Sequence, residues 1–367
     1  MPADTPPPPV RPKKIVICLD GTGNQVGASS PTNVVKFYEL LDVSNPAEQL
    51  AYYDPGVGTM YASAARTPVG RWLSRVLGLA FGTGLRENVA EAYTYLMQNW
   101  RPGDSVYVVG FSRGAYTARA LVGMLTKPGL MRPGSENLVP YAVAKYATNH
   151  PSWKGMAAFA HAFCVRTESE PLFSTVKAND PKQISHHSVP VAYLGIWDTV
   201  KAAGVLRIGS LRWPYTRQLP NVARIRHAVS IDEHRRPYRE YLVERAEGHT
   251  AGVEEAWFAG VHSDVGGTFE PDHRLASIAL RWVVDGVKNE LVLRPGAYDE
   301  SCAVAPDYPN GTVHRMGWVW LLTGTRHRPV PDGAVLHQSV RLRQQADPTY
   351  RPGLASGHSY CDTAWPG

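Results

Sequence analysis

The stretch DSVYVVGFSRGAYTARALVGML, residues 104–125, decides the fold that we predict for this chain. It opens with an apolar run at residues 105–109 that is typical of a buried strand. Apolar residues then recur at helical spacing over residues 113–125, which predicts a helix. Between the two lies GFSRG, residues 110–114, a G-x-S-x-G pattern. A strand, this turn and a helix are the setting of a nucleophile elbow, which exposes the Ser112 hydroxyl at the end of a sheet.

The same five residues also fit a plain tight turn whose glycines let the helix pack on the sheet. The rest of the chain favours the elbow, because apolar runs alternate with helical patterns on both sides of it. The predicted strands are residues 13–20, 49–53, 105–109, 189–197, 223–231 and 255–261, and the predicted helices are 32–41, 84–100, 113–125, 138–148 and 273–288. This alternation predicts an α/β fold, α/β-hydrolase-like, with a mostly parallel central sheet flanked by helices and with insertions.

The chain divides by composition into three predicted parts. Residues 1–12 are Pro-rich and form a disordered arm, residues 13–345 form the α/β-hydrolase domain, and residues 346–367 form a C-terminal tail. Within the domain, the Pro, Gly and Ser content of residues 127–188 indicates an insertion or cap. Residues 66–81 combine arginines with large apolar residues, which fits either a lid or interfacial patch, or a helix packed on the core.

Composition excludes several classes of protein. The 367 residues are 44% hydrophobic, enough for one large α/β domain. The net charge of +6 comes from scattered arginines, so we predict no nucleic-acid partner, while contact with a membrane surface stays open. The four cysteines lack metal-ligand spacing, and there is neither a secretory signal nor an apolar run of about 18 residues. We expect a protein that is cytoplasmic as made, with no metal and no cofactor; export by a dedicated secretion system stays open.

Four reactive side chains end or follow apolar runs, namely Asp20, Ser112, Asp198 and His262. In a parallel sheet such positions meet at one edge, where α/β proteins hold their sites. A serine nucleophile needs a histidine base, and the base needs a carboxylate that fixes its tautomer. Ser112, Asp198 and His262 follow the chain order of α/β-hydrolases and are our candidate catalytic residues. The alternatives are a turn or helix cap for Asp198 and a structural role for His262.

Two rivals are weighed against this set. His358 also follows the aspartate in the chain, but it lies in a Gly-, Ser- and Pro-rich tail with no strand to position it. Asp264, two residues beyond His262, is a second candidate for the carboxylate partner of that histidine. Asp264 and Asp20 are therefore kept as secondary site residues.

The loop after the first strand, GTGN at residues 21–24, is a candidate for half of an oxyanion hole. Its glycine spacing breaks the dinucleotide fingerprint at Val26, and no lysine of a phosphate-binding loop follows. Serine hydrolases take one oxyanion N–H from the residue after the nucleophile and another from a loop after an early strand. We therefore predict Arg113, Gly21 and Thr22 as oxyanion donors, with a plain turn as the alternative for the loop.

Segments spread over residues 13–345 resemble one known family. They are LDGTGN (19–24), TNVVKFYELL (32–41), YYDPGVGT (52–59), GFSRGAYTAR (110–119), GIWDTV (195–200), IDEHRRPYRE (231–240), WFAGVHSDVGG (257–267) and LHQSVRLR (336–343). Together they are similar to the bacterial and fungal α/β-hydrolase family of formerly unknown function that includes the type VI secretion phospholipase effectors. The resemblance implies that Ser112 is the nucleophile, that Asp198 completes the triad and that His262 is the base. It also implies a phospholipase of A1 or A2 type.

The predicted function is a serine hydrolase that cleaves carboxylic esters through an acyl-enzyme, of the esterase, lipase or phospholipase type. Its predicted partner is an ester or lipid substrate, and the resemblance leaves room for a secretion or immunity partner. Two alternatives stay open. One is a non-enzymatic α/β module that binds an anionic ligand at residues 21–24, and the other is a metal-assisted hydrolase that uses Asp20, Asp198, His262 and Asp264.

Overall fold

The structure is a computed structural model that describes most of the chain. The described residues are 11–21, 31–56, 81–147, 153–167, 187–201, 213–244, 252–315, 324–354 and 356–365. Residues 1–10 of the predicted arm, residues 66–80 of the basic segment, and Thr22 lie outside this part of the chain.

One eight-stranded parallel sheet organises the described part of the chain. Its strands, β1 to β8 in chain order, are Lys14–Leu19, Gln49–Asp54, Ser105–Phe111, Val191–Trp197, Val222–Ser230, Gly252–Phe258, Val335–His337 and Ser359–Cys361. They lie in the order β2-β1-β3-β4-β5-β6-β7-β8, and each neighbouring pair is parallel. The predicted α/β fold with a parallel central sheet is confirmed, and β1 to β6 correspond to the six predicted strands.

The last two strands are not predicted by the sequence pattern. Each is three residues long, which is too short to show a period of two. β8 lies within residues 346–367, the predicted C-terminal tail, and it pairs with β7. The prediction of a tail therefore needs correction, because residues 359–361 extend the sheet of the domain.

Helices cover both faces of the sheet. Those in the described residues, α1 to α9 in chain order, are Asn33–Leu40, Phe81–Asn99, Arg113–Thr126, Val139–Tyr146, Trp153–Phe163, His262–Gly266, Arg274–Asp285, Ala297–Cys302 and Gln338–Ala346. Successive strand residues point to opposite faces. In β1, Ile15 and Ile17 therefore join a core with α2 to α5, while Val16 and Cys18 join a core with α1, α7 and α8. Within the described ranges, no helix combines the length and apolar character needed to cross a bilayer.

Parts of the predicted insertion, residues 127–188, pack as helices beside the sheet. α4 corresponds to the predicted helix 138–148, whereas α5 is not predicted. Both contribute side chains to the core on the α2 face, including Tyr146 and Met156. That the whole interval forms an insertion or cap stays a prediction.

Candidate active site

The carboxyl edge of the sheet gathers the predicted catalytic residues. Ser112 follows β3 directly, and Asp198 follows β4, its neighbour in the sheet. His262 is the first residue of α6, just beyond β6. Because the strands all run in one direction, these positions meet at one edge although Ser112 and His262 are 150 residues apart.

Ser112 occupies a strained turn between β3 and α3. Its φ of 59° and ψ of −120° lie outside the regions that non-glycine residues favour. The flanking glycines are required because a side chain at either position would collide with the backbone. A Cβ at Gly114 would lie 2.1 Å from the Leu19 carbonyl oxygen, and one at Gly110 would lie 2.8 Å from the Gly114 carbonyl oxygen. The Ser112 hydroxyl does not cap α3, so the turn has the geometry of a nucleophile elbow.

A continuous hydrogen-bonded chain leads away from the Ser112 hydroxyl. Ser112 Oγ lies 2.8 Å from His262 Nε2, and His262 Nδ1 lies 2.5 Å from Asp198 Oδ2. An ionised carboxylate only accepts hydrogen bonds, so Asp198 favours the Nδ1–H tautomer and leaves the Nε2 lone pair facing the hydroxyl. The structure thus brings together the three residues that the sequence analysis selected. Such a chain can remove the hydroxyl proton while the oxygen attacks an electrophile.

Aromatic rings hold the His262 imidazole in place. The Phe111 and Tyr238 rings lie with their centroids 4.6 and 4.8 Å from that of the imidazole. Gly266, at the end of α6, makes room for Phe111, because a Cβ there would lie 1.9 Å from the Phe111 ring. A glycine in the GVHSDVGG segment therefore has a packing reason close to the candidate base.

Burial and charge set the protonation states of the pair. His262 is 3% exposed, and Asp198 is fully buried. Desolvation lowers the pKa of His262 below its ordinary value, although Asp198 opposes that shift. Burial alone would raise the pKa of Asp198, but the charge of Arg328 and the hydrogen bond from His262 outweigh it and hold that pKa well below the usual range. Near neutral pH the pair is a neutral imidazole beside an ionised carboxylate.

Three charged residues next to the pair are missed by the sequence analysis. Arg328 binds both carboxylate oxygens of Asp198. Glu233 accepts the backbone N–H of His262 at 3.2 Å, and Arg235 binds both oxygens of Glu233. Glu233 and Arg235 lie in IDEHRRPYRE, whose dense charge was an available signal. Arg328 lies in the aperiodic stretch TRHRPV, residues 325–330, and nothing in that stretch distinguishes it from the neighbouring Arg326.

The candidate oxyanion residues begin beside the elbow. The Asp20 carboxylate accepts the Gly21 N–H at 2.6 Å, the Thr32 hydroxyl at 2.5 Å and the Tyr53 hydroxyl at 3.0 Å. Asp20 thus joins the start of the loop after β1 to the start of α1. The Gly21 N–H thus donates to Asp20, and Arg113 is the first residue of α3, directly after Ser112. The oxyanion role of these residues stays a prediction.

The secondary candidate Asp264 holds the local backbone. Its carboxylate accepts the N–H groups of Val261 and His314 at 2.9 and 3.1 Å and lies 2.6 Å from His314 Nδ1. Among the residues that the structure describes, no three His, Cys, Asp or Glu side chains converge as metal ligands would. Asp198, which the metal-assisted alternative requires as a ligand, is already bound by a guanidinium. The donor set proposed for a metal therefore does not fit this arrangement.

The rival His358 lies at the opposite edge of the sheet. It directly precedes β8, so it sits at the amino end of a strand, whereas Ser112 sits at a carboxyl end. β8 is also five positions from β3 in the sheet, or about 24 Å at about 4.8 Å per strand. The His358 ring contacts Tyr360 instead.

A second Ser-His-Asp set lies at the start of α9 and has a different geometry. His337 Nδ1 lies 2.8 Å from Ser339 Oγ, and His337 Nε2 lies 3.2 Å from Asp362 Oδ2. His337 Nδ1 also accepts the Ser339 backbone N–H at 3.1 Å, so this imidazole caps a helix. The ring is completely buried and packs against Phe258 and Trp365. This set provides a matched control for experiments on Ser112.

A parallel α/β sheet that carries a serine on an elbow, with histidine and aspartate hydrogen-bonded behind it, is the arrangement found in α/β-hydrolases. A comparison with protein families matches residues 13–286 to the T6SS phospholipase effector Tle1-like catalytic domain. The match covers most of the chain, and this protein belongs to that family. Membership confirms the resemblance seen in the sequence. It supports a phospholipase or hydrolase function and is consistent with secretion by a dedicated system.

Individual relatives extend beyond this chain. The uncharacterized protein YEL023C of Saccharomyces cerevisiae is 32% identical over 237 residues, which are 62% of this chain and 32% of the yeast protein. An uncharacterized protein from Pseudomonas aeruginosa has a TM-score of 0.44 and 17% identity over 82% of this chain and 50% of its own. The Tle1 effector bound to the VgrG spike of the type 6 secretion system has a TM-score of 0.36 and 17% identity over 70% of this chain and 52% of its own. This chain thus spans about a third of the yeast relative and half of each of the two solved chains.

Proposed function

We propose that this chain is a serine hydrolase of carboxylic esters, a phospholipase of A type, with Ser112 as nucleophile, His262 as base and Asp198 as the orienting carboxylate. The observation that carries the proposal is the hydrogen-bonded chain from the Ser112 hydroxyl through both His262 nitrogens to Asp198. The strained backbone of Ser112 supports it, because strain of this kind clusters at functional sites.

In the proposed acylation, His262 Nε2 takes the hydroxyl proton while Ser112 Oγ bonds to the ester carbonyl carbon. The carbonyl π electrons move to oxygen, where the Arg113 N–H and the predicted donor Thr22 stabilise the negative charge. The tetrahedral intermediate collapses and expels the alcohol, which takes the proton from the imidazolium and leaves acyl-Ser112. Water activated by His262 then releases the carboxylic acid. Asp198 stays ionised throughout and stabilises the imidazolium.

A phospholipid is the favoured substrate because the chain belongs to a family of phospholipase effectors. The net charge of +6 would attract the chain to anionic membrane surfaces, where such esters lie. The proposed chemistry requires neither a metal nor a cofactor, because the base and the nucleophile are side chains. Secretion by a dedicated machine, with a spike or immunity partner, is part of the proposal; the spike complex itself belongs to the Tle1 effector.

The test combines a fluorophosphonate label, which captures activated serines, with graded p-nitrophenyl esters and phospholipid vesicles. Ser112→Ala should abolish labelling and lower kcat by about 10⁴- to 10⁶-fold, the usual loss for such residues. The fold should be unchanged, because only a hydroxyl is removed. Ser339→Ala, in the buried set at α9, is the matched control and should keep both labelling and turnover.

Two results would contradict the proposal. One is a Ser112→Ala protein that keeps more than about a tenth of the wild-type rate, far above the residual rate that we expect. The other is a wild-type protein that binds anionic ligands but neither labels nor turns over any ester, which would favour the non-enzymatic module. Analysis of the released fatty acid would assign A1 or A2 type.

A further inference from the structure

Arg328 reaches the candidate active site from beyond the family match, which ends at residue 286. Backbone hydrogen bonds of 3.2 and 2.7 Å hold residues 324–326 antiparallel to residues 234–236. This pairing brings Arg328, two residues further along the chain, to Asp198. Arg328 is only 6% exposed there. The C-terminal third of the chain therefore contributes a buried charge to the site.

The guanidinium makes a bidentate contact with the Asp198 carboxylate. One terminal nitrogen lies 2.5 Å from Oδ1, and the other lies 3.0 Å from Oδ2. The first nitrogen also donates to the Ser230 carbonyl and hydroxyl oxygens at 3.0 and 2.8 Å, and the second donates to the Tyr238 carbonyl. The Ser230 N–H in turn donates to Asp198 Oδ1 at 2.9 Å. These two terminal nitrogens form a planar fork across the two carboxylate oxygens. A fork anchored in this way fixes both the position and the rotation of the carboxylate.

We propose that Arg328 is a positioning residue for the reaction, which orients Asp198 and limits how strongly Asp198 holds a proton on His262. The inference rests on the proposed serine hydrolase function. Asp198 Oδ2, which meets Arg328, is the same atom that hydrogen-bonds His262 Nδ1. Asp198 also has a φ of 39°, a conformation that a non-glycine residue keeps only where its surroundings constrain it.

Other titratable groups lie around Asp198 and His262, and each has hydrogen-bond partners other than the side chains of these two residues. They are Glu233, Arg235, His227, Asp264 and His314. The Glu233 charge is balanced by Arg235. Burial lowers the pKa of His227, which hydrogen-bonds Glu255, so His227 is neutral near pH 7. Among the described residues, Arg328 is thus the permanent cation that contacts Asp198.

The fixed charge of Arg328 opposes protonation of His262, because an imidazolium and a guanidinium would share one carboxylate. Removal of that charge should raise the pKa of His262, and the acid limb of kcat/KM should move to higher pH. Loss of the fork should also let Asp198 rotate and misplace the imidazole. A misplaced imidazole should lower kcat and leave KM nearly unchanged, because Arg328 acts through Asp198 and makes no proposed contact with the substrate.

The experiment compares Arg328→Met, which removes charge and fork, with Arg328→Lys, which keeps the charge. Rates of p-nitrophenyl ester hydrolysis and of fluorophosphonate labelling are measured against pH on folded protein. Arg328→Met should lose at least about tenfold in kcat, with an acid limb raised by about one pH unit. Arg328→Lys should lose less kcat and keep the wild-type acid limb. Arg326→Met, at an exposed position in the same segment, is the control and should match the wild type.

Three outcomes would overturn the inference and leave the proposed function in place. A folded Arg328→Met protein with the wild-type kcat and the wild-type pH profile refutes it. Equal kcat losses in Arg328→Met and Arg328→Lys with unmoved acid limbs would indicate a purely structural role. If Arg328→Met does not fold, wild-type kcat in Arg328→Lys refutes the inference. A wild-type protein without Ser112-dependent hydrolysis would instead refute the proposed function and this inference with it.

Discussion

Asp198→Asn is expected to remove activity and stability together. The amide keeps one oxygen but replaces the other with an NH2 group, which cannot accept a hydrogen bond. If that group faces His262 Nδ1, the imidazole must carry its proton on Nε2, where it cannot receive the Ser112 proton. The equivalent change in a Ser-His-Asp protease lowers kcat by about 10⁴-fold, and we expect a loss of the same order here.

The loss of stability follows from the burial of Arg328. Removing one partner of a buried ion pair costs about 3–5 kcal/mol, because the other charge is left unpaired. Asparagine keeps one acceptor, so we take the lower value of about 3 kcal/mol. An unfolding entropy of about 2.1 cal/mol/K per residue gives about 0.8 kcal/mol/K for 367 residues. The Tm of Asp198→Asn should therefore fall by about 4 °C.

The assay pairs calorimetry with kcat on a p-nitrophenyl ester and on phospholipid vesicles. Ser112→Ala is the control, because it should lose activity and keep the wild-type Tm. The double variant Asp198→Asn/Arg328→Met should regain most of the stability, since neither partner is then charged, without regaining activity. An Asp198→Asn protein with the wild-type Tm and more than about a hundredth of the wild-type kcat would refute the reasoning.

Three further predictions concern the base and its surroundings. The acid limb of kcat/KM should lie below pH 6.5, the ordinary histidine value, because burial lowers the pKa of His262 and the neutral imidazole is the active form; a pH–rate profile with that limb at or above about pH 7 would contradict this. His262→Ala should lose as much kcat as Ser112→Ala, whereas His358→Ala should stay within a few-fold of wild type in the same ester assay; the reverse result would reassign the base. Gly266→Ala should cost about 1–3 kcal/mol of unfolding free energy by denaturant titration, because its Cβ would meet the Phe111 ring, and kcat should fall as the imidazole shifts; wild-type values in both measurements would contradict that packing argument.

Contiguous features could be predicted from the sequence. The elbow consists of a strand, a turn and a helix that follow one another over 22 residues, and its glycines can be read directly. Six strands were long enough to show as apolar runs, and their alternation with helices implied a parallel sheet. The chain order of Ser112, Asp198 and His262 could also be read from the sequence, and the family resemblance implied a role for each.

Long-range pairings could be decided only by the tertiary structure. His262 and His358 both follow Asp198 in the chain, but the direction of β8 places His358 at the amino edge, away from Ser112. Arg328 lies 130 residues from Asp198 in the chain. It contacts Asp198 because residues 235 and 325 pair through their backbones, which no local sequence pattern predicts. Hydrophobic periodicity and turn chemistry act between near neighbours, so the sequence alone determined the elements and the elbow. The order and direction of the strands bring together residues that are far apart in the chain. The surroundings of Asp198 and His262 could therefore be determined only from the tertiary structure.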